Sequence, residues 1–149
     1  MNNVKATIFR RTSRLHQAIA YLVAFILLVM ALIQLFSFEQ SRETLATLLP
    51  ASMAVAVLPI FSIIVTLEVV ALPYFLLFPL SRLARWCALI AAIVVPLLWI
   101  VIMIVGRDHQ GATVPLLGSV VHIPLGFGSL LFTVVLLALI VAVAVHDRK

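Results

Sequence analysis

The chain has 149 residues, 65% of them hydrophobic and only 10% charged, with a net charge of +5. That is more apolar side chain than a water-soluble core of this length can hide, so the composition points to an integral membrane protein with one domain, residues 1–149. The basic residues sit at the ends of apolar runs, where lipid headgroups lie, which argues against nucleic acid as a partner. Cys87 is the one cysteine, so no disulfide can close within the chain.

Residues 1–14 carry Lys5, Arg10, Arg11 and Arg14, a basic anchor. The following apolar run predicts a first transmembrane helix over about 17–38. It begins like a signal peptide, but it is longer than an h-region and no small-residue cleavage site follows, so it is expected to be retained. Residues 38–50 form a polar loop with Glu39, Arg42 and Glu43. Leu45, Leu48 and Leu49 follow Ser41 at helical spacing and can build a short interfacial helix.

A second helix is predicted over 51–80, longer than one crossing needs, with tilt or kinks at Pro59 and Pro73 absorbing the excess. Ser62 and Thr66 can bond carbonyls that such kinks release. After a basic turn with Arg82 and Arg85, a third helix is predicted over 86–106 and contains Pro96. Residues 107–112 are polar, and 113–124, broken by Pro115, Gly118 and Pro124, read as a loop or partial helix at the interface. A fourth helix is predicted over 125–145. Eight Lys and Arg lie at the two ends and in the turn after helix two. Arg42 and Arg107 alone lie in the other two loops. The bias predicts both termini in the cytoplasm, and short connections predict an all-α, antiparallel four-helix bundle.

Glu68 is the residue on which a function would turn. A lone carboxylate in an apolar helix is costly unless partnered, so it marks a buried polar pin, a proton relay or a ligand-binding acid. Aligning the helices by depth places Trp99 and Thr133 opposite it, one with an indole N–H and one with a hydroxyl, and no Lys, Arg or His at that level. Glu68 is expected to face the bundle interior.

Gln34, near the outer end of helix one, can bond across helices. His122 sits in the apolar outer segment, where a hydrogen bond to a loop carbonyl is a better match than a metal. His16 and His146 share one edge and His109 and His122 the other, an arrangement unsuited to axial haem ligation. Gly126, Gly128 and Ser129 read as a close-packing patch, and Cys87 as a small packing residue. No metal-ligand spacing, Walker motif, nucleophile elbow or triad pattern is present, so the expectation is no enzyme and no required cofactor. A quinone or lipid against Trp99 and the helix-two kink is compatible with the residues, though nothing demands it.

The stretch MALIQLFSFEQSRETLATLLP, a second helix with Glu68, and the turn SRLARWCALIAAIV resemble the DoxX-like superfamily, and within it the methylamine-utilisation MauE branch, over about Leu22 to Val143. The resemblance implies a small four-helix protein of the bacterial inner membrane that assists disulfide formation or electron transfer in a larger complex. Two departures matter. Gln34 and Leu35 stand where the family often has Lys, and Val114-Pro115-Leu116-Leu117-Gly118 stands where MauE-like members carry a C-x-C pair. Without the thiols the redox chemistry goes, and what remains is a scaffold that docks with other membrane subunits. A small proton-coupled transporter using Glu68 is the alternative.

Overall fold

A computed structural model describes residues 14–49, 51–106, 113–114, 123–124 and 126–146. Helix α1 spans Arg14–Phe36 and a shorter α2 spans Phe38–Leu48. A 3-10 segment, Ala51–Ala56, leads into α3, Val57–Phe75. Helix α4 spans Arg82–Val105, and α5 spans Phe127–His146. Two short strands, β1 (Thr113–Val114) and β2 (Ile123–Pro124), pair antiparallel with Thr113 opposite Pro124. Four helices, α1, α3, α4 and α5, are long and apolar enough to cross a membrane.

These four pack as a closed ring: α1 on α3, α3 on α4, α4 on α5, and α5 back on α1. Large apolar side chains lie both inside and outside the ring. Inward positions hold Ala20, Ala24, Ala71, Ala88 and Ala92 among larger residues, while Phe25, Leu28, Ile63, Ile90, Leu97 and Val135 point outward. Small residues at the helix contacts let the backbones approach, and the outward faces are apolar as well.

Helix α2 is a different element. Its buried Ser41, Leu45 and Leu48 recur at helical spacing and pack on α3, α1 and α4, while Glu39, Gln40, Arg42 and Glu43 face outward. Only Ser37 separates it from α1. The Ser37 hydroxyl donates back to the Ile33 carbonyl at 2.8 Å and lies 3.0 Å from the Ser41 hydroxyl. Such back-bonding competes with the regular ladder and turns the chain at this residue. At the far end of α4, a Cβ on Gly106 would lie 3.1 Å from Leu48 Cδ2, so the end of α4 meets the end of α2 in a close contact that a larger residue would crowd.

The second long helix is shorter than the sequence suggests. Its α-helical part runs from Val57 to Phe75 rather than over 51–80. Pro59 falls in the first turn of the α-helical part, a position where proline is tolerated. Thr66 donates to the Ser62 carbonyl at 2.7 Å, one turn back and not at a position that a proline releases. The helix stops two residues after Pro73. Phe78 N–H bonds the Pro73 carbonyl and Leu77 N–H the Tyr74 carbonyl, each at 3.2 Å, a Schellman closure. The residue forced into the left-handed region is Leu77, at φ 58°. Helix α4 then starts at an N-cap, Ser81, whose hydroxyl accepts from Ala84 N–H at 3.2 Å.

A left-handed leucine costs roughly 1 kcal/mol that glycine does not. Leu77→Gly is therefore expected to raise the melting temperature of the detergent-solubilised chain, as read by circular dichroism. A lowered value would mean that the exposed leucine side chain contributes more than its backbone strain removes.

Candidate functional site

The polar side chains that the ring encloses gather near one level. Glu68 of α3 and Gln34 of α1 are both 0% exposed, and Trp99 of α4 and Thr133 of α5 are 1% exposed. One hydrogen bond organises them: Gln34 Nε2 donates to Glu68 Oε1 at 3.1 Å. Trp99 neighbours the same carboxyl from α4, but its Nε1–H stays outside hydrogen-bond geometry. The second carboxyl oxygen, Oε2, has no hydrogen-bond partner among the described residues. Glu68 and His16 are the only ionisable side chains among the buried polar residues described, so no buried Lys or Arg neutralises the carboxyl.

The partners differ in part from those expected by depth. Gln34, assigned from sequence only a generic bond across helices, is the direct partner. Thr133 spends its hydroxyl on its own helix, donating to the Ser129 carbonyl at 2.8 Å. Ser129 is fully buried and closes the start of α5, donating to the Gly126 carbonyl at 2.9 Å and lying 3.2 Å from Gly126 N–H, which it accepts. His122, His109 and residues 115–118 lie outside the described residues.

Two further expectations change. A Cβ on Gly126 or Gly128 would meet nothing within 4 Å, so these glycines open onto free space and pack against nothing. The close approach is at Gly106. Cys87 is exposed, since it falls on the outward side of the first turns of α4. At the opposite end of the ring, the His16 and His146 rings lie 4.8 Å apart, tilted by 33°, and tie the start of α1 to the end of α5. No group of three or more His, Cys, Asp or Glu among the described residues is arranged to hold a metal ion. A shallow depression on the outer side of α5, lined by Val134, Leu137, Ala138, Val141, Ala142 and Val145 and reaching His146 at its end, offers mainly apolar contact.

Comparison with protein-family models, curated proteins and solved structures found no match to this chain. The geometry therefore carries the functional argument. A carboxyl held by one amide, beside a tryptophan and away from any cation, can pin helices together or hold a proton. It does not assemble a nucleophile, a base and an electrophile.

Removing one partner of a buried pair leaves the other unsatisfied, whereas removing both need not. Gln34→Leu is expected to destabilise the folded chain by about 1–3 kcal/mol, measured by reversible denaturation in mixed micelles. Adding Glu68→Leu to it should recover part of that loss. A double variant whose loss equals the sum of the two single losses would mean that the pair is not coupled.

Proposed function

We propose that this chain is an integral membrane protein whose four spans form an antiparallel bundle. Its layout is DoxX/MauE-like, and it serves as a non-catalytic subunit or scaffold of a larger membrane complex. In this reading it lies in a bacterial inner membrane with both termini cytoplasmic and α2 on the outer side. The charge bias supports that orientation, with Arg14, Arg82 and Arg85 at one end of the spans and a single basic residue in each of the other two connections. The stacked His16 and His146 support a common level for the start of α1 and the end of α5.

The observation that carries the scaffold reading is the enclosure of Glu68. The one carboxylate inside the spans is fully buried and fixed by Gln34 from a different helix. A polar contact inside a membrane bundle fixes which helices meet and in what register. The outward surface is rich in large apolar side chains, as a subunit docking within the bilayer would need. No thiol pair accompanies this layout, so the redox step of the family it resembles is assigned to a partner subunit, not to this chain. Quinone or lipid remains the small-molecule class that its apolar surface suits.

Affinity purification of the tagged chain in a mild detergent is expected to recover a stable complex with other membrane subunits. Recovery of the lone monomer under every mild condition would contradict the scaffold reading.

Glu68 Oε2, without a partner among the described residues, favours a second reading, a small proton-coupled carrier. Under that reading, Glu68→Gln abolishes the proton flux that an imposed gradient drives through reconstituted vesicles. Unchanged flux removes it.

A further inference from the structure

The enclosed polar groups lie to one side. Gln34 stands eighteen residues after His16 on α1, about 27 Å along a helix at 1.5 Å per residue. Ser129 stands seventeen residues before His146 on α5, about 25 Å by the same rise. The stacked histidines join the two helices at their shared end, so Gln34 and Ser129 fall at one level near the other end. Trp99 reaches that level from α4. It is seven residues, about 10 Å, before Gly106, which packs on Leu48 of α2. Glu68, bonded to Gln34, belongs to this level too.

On the side toward the histidines the buried core is apolar apart from Tyr74, six residues past Glu68 on α3, and His16 itself. The buried residues of α1 between His16 and Gln34 are Ala20, Val23, Ala24, Leu27, Met30 and Ala31. The buried residues of α4 before Trp99, and of α5 between Thr133 and its last turn, are apolar as well. On the other side the buried face stays polar. Gln34, Ser37 and Ser41 follow one another at spacings of three and four, all buried, and carry that face from the carboxyl to the inner side of α2. The two serine hydroxyls are 3.0 Å apart and either can donate, which lets a hydrogen-bonded chain reverse its direction. The other side of α2 presents Glu39, Gln40, Arg42 and Glu43 to the surroundings.

We propose that Glu68 exchanges a proton with the α2 side only, along the strip formed by Gln34, Ser37 and Ser41, with α2 as its cover. Gln34 holds Oε1 and leaves Oε2 as the oxygen that reacts. A hydronium ion arriving beneath α2 gives its proton to the carboxylate, leaving the carboxylic acid and one water, and the reverse step releases it. The groups facing the carboxyl are Gln34 from α1 and Trp99 from α4, neither of which titrates. No described Lys, Arg or His is buried at this level, and the charged residues of α2 are on its exposed side. Sidedness follows from the histidine-side core, where the buried faces of α1, α4 and α5 are apolar and α3 adds only the single phenol of Tyr74, so a proton has no continuous polar strip there and pays the cost of an unsolvated charge. This inference does not depend on the scaffold reading, because a lone chain and a subunit would both show it.

The test is infrared spectroscopy of the full chain, reconstituted in one orientation in proteoliposomes with strongly buffered lumens. The Glu68 carboxyl band is identified as the signal lost in Glu68→Gln and displaced in Glu68→Asp. A pH step applied on the α2 side is expected to change this band, and the same step on the histidine side to leave it unchanged. Ser37→Val with Ser41→Val is expected to slow the response several-fold without removing the band. A band that follows the histidine side, that responds to neither side, or that responds at the same rate without the serines overturns the proposal.

Discussion

The arrangement of this chain depends on the contact between Gln34 and Glu68. A carboxyl enclosed by apolar helices is tolerated only where another polar group meets it, and the nearest donor comes from a different helix. That requirement sets the register of α1 against α3. Trp99 on α4 and the polar start of α5 lie at the same level, so all four long helices contribute to one enclosed polar layer. Apolar packing alone is permissive about sliding one helix past another. A single amide–carboxyl pair is not, because a shift of one turn leaves both partners unsatisfied.

The layer is off-centre because the chain between α1 and α3 does more than turn around. Ser37 bends the chain, α2 folds across the end of the ring, and a 3-10 segment returns it to the start of α3. Helix α3 therefore begins well beyond the end of α1, and its twelfth residue, Glu68, meets the third-last residue of α1. The buried polar face continues through Ser37 and Ser41 under α2, while the opposite half of the core is apolar except for Tyr74 and the terminal His16. In the proposed membrane setting this gives the carboxyl a near side and a far side, which any proton or ligand would encounter differently.

Much of this was legible in the sequence, and the parts that were not share a physical cause. Four long helices follow from apolar runs of about twenty residues, a signal that needs no tertiary information. The helical potential of residues 41–49 was legible too, from the spacing of Leu45 and Leu48. The ends of α3 were not. Hydrophobic residues continue through Leu76, Leu77, Phe78 and Leu80 after the helix has ended at Phe75, and hydropathy does not distinguish a helical leucine from a left-handed one. The direct partner of Glu68 was hidden for another reason: the register of α1 against α3 is set by the bend at Ser37, by α2 and by the 3-10 segment, and hydropathy does not report how far such a connection carries the chain past the end of α1. The glycines were misjudged for a related reason, since composition cannot tell an exposed Gly126 from a Gly106 pressed against Leu48.

The most direct test of the account is the Gln34–Glu68 contact itself, observed with the chain in lipid. Solid-state NMR of the protein labelled at the glutamine side-chain amide nitrogen and the glutamate carboxyl carbon reports this pair through space, with Gln34→Leu as the control that assigns it. The account predicts a dipolar coupling that corresponds to hydrogen-bonding distance and disappears in the control. A Glu68 carboxyl coupled instead to lipid acyl-chain protons, with no coupling to Gln34, would contradict it.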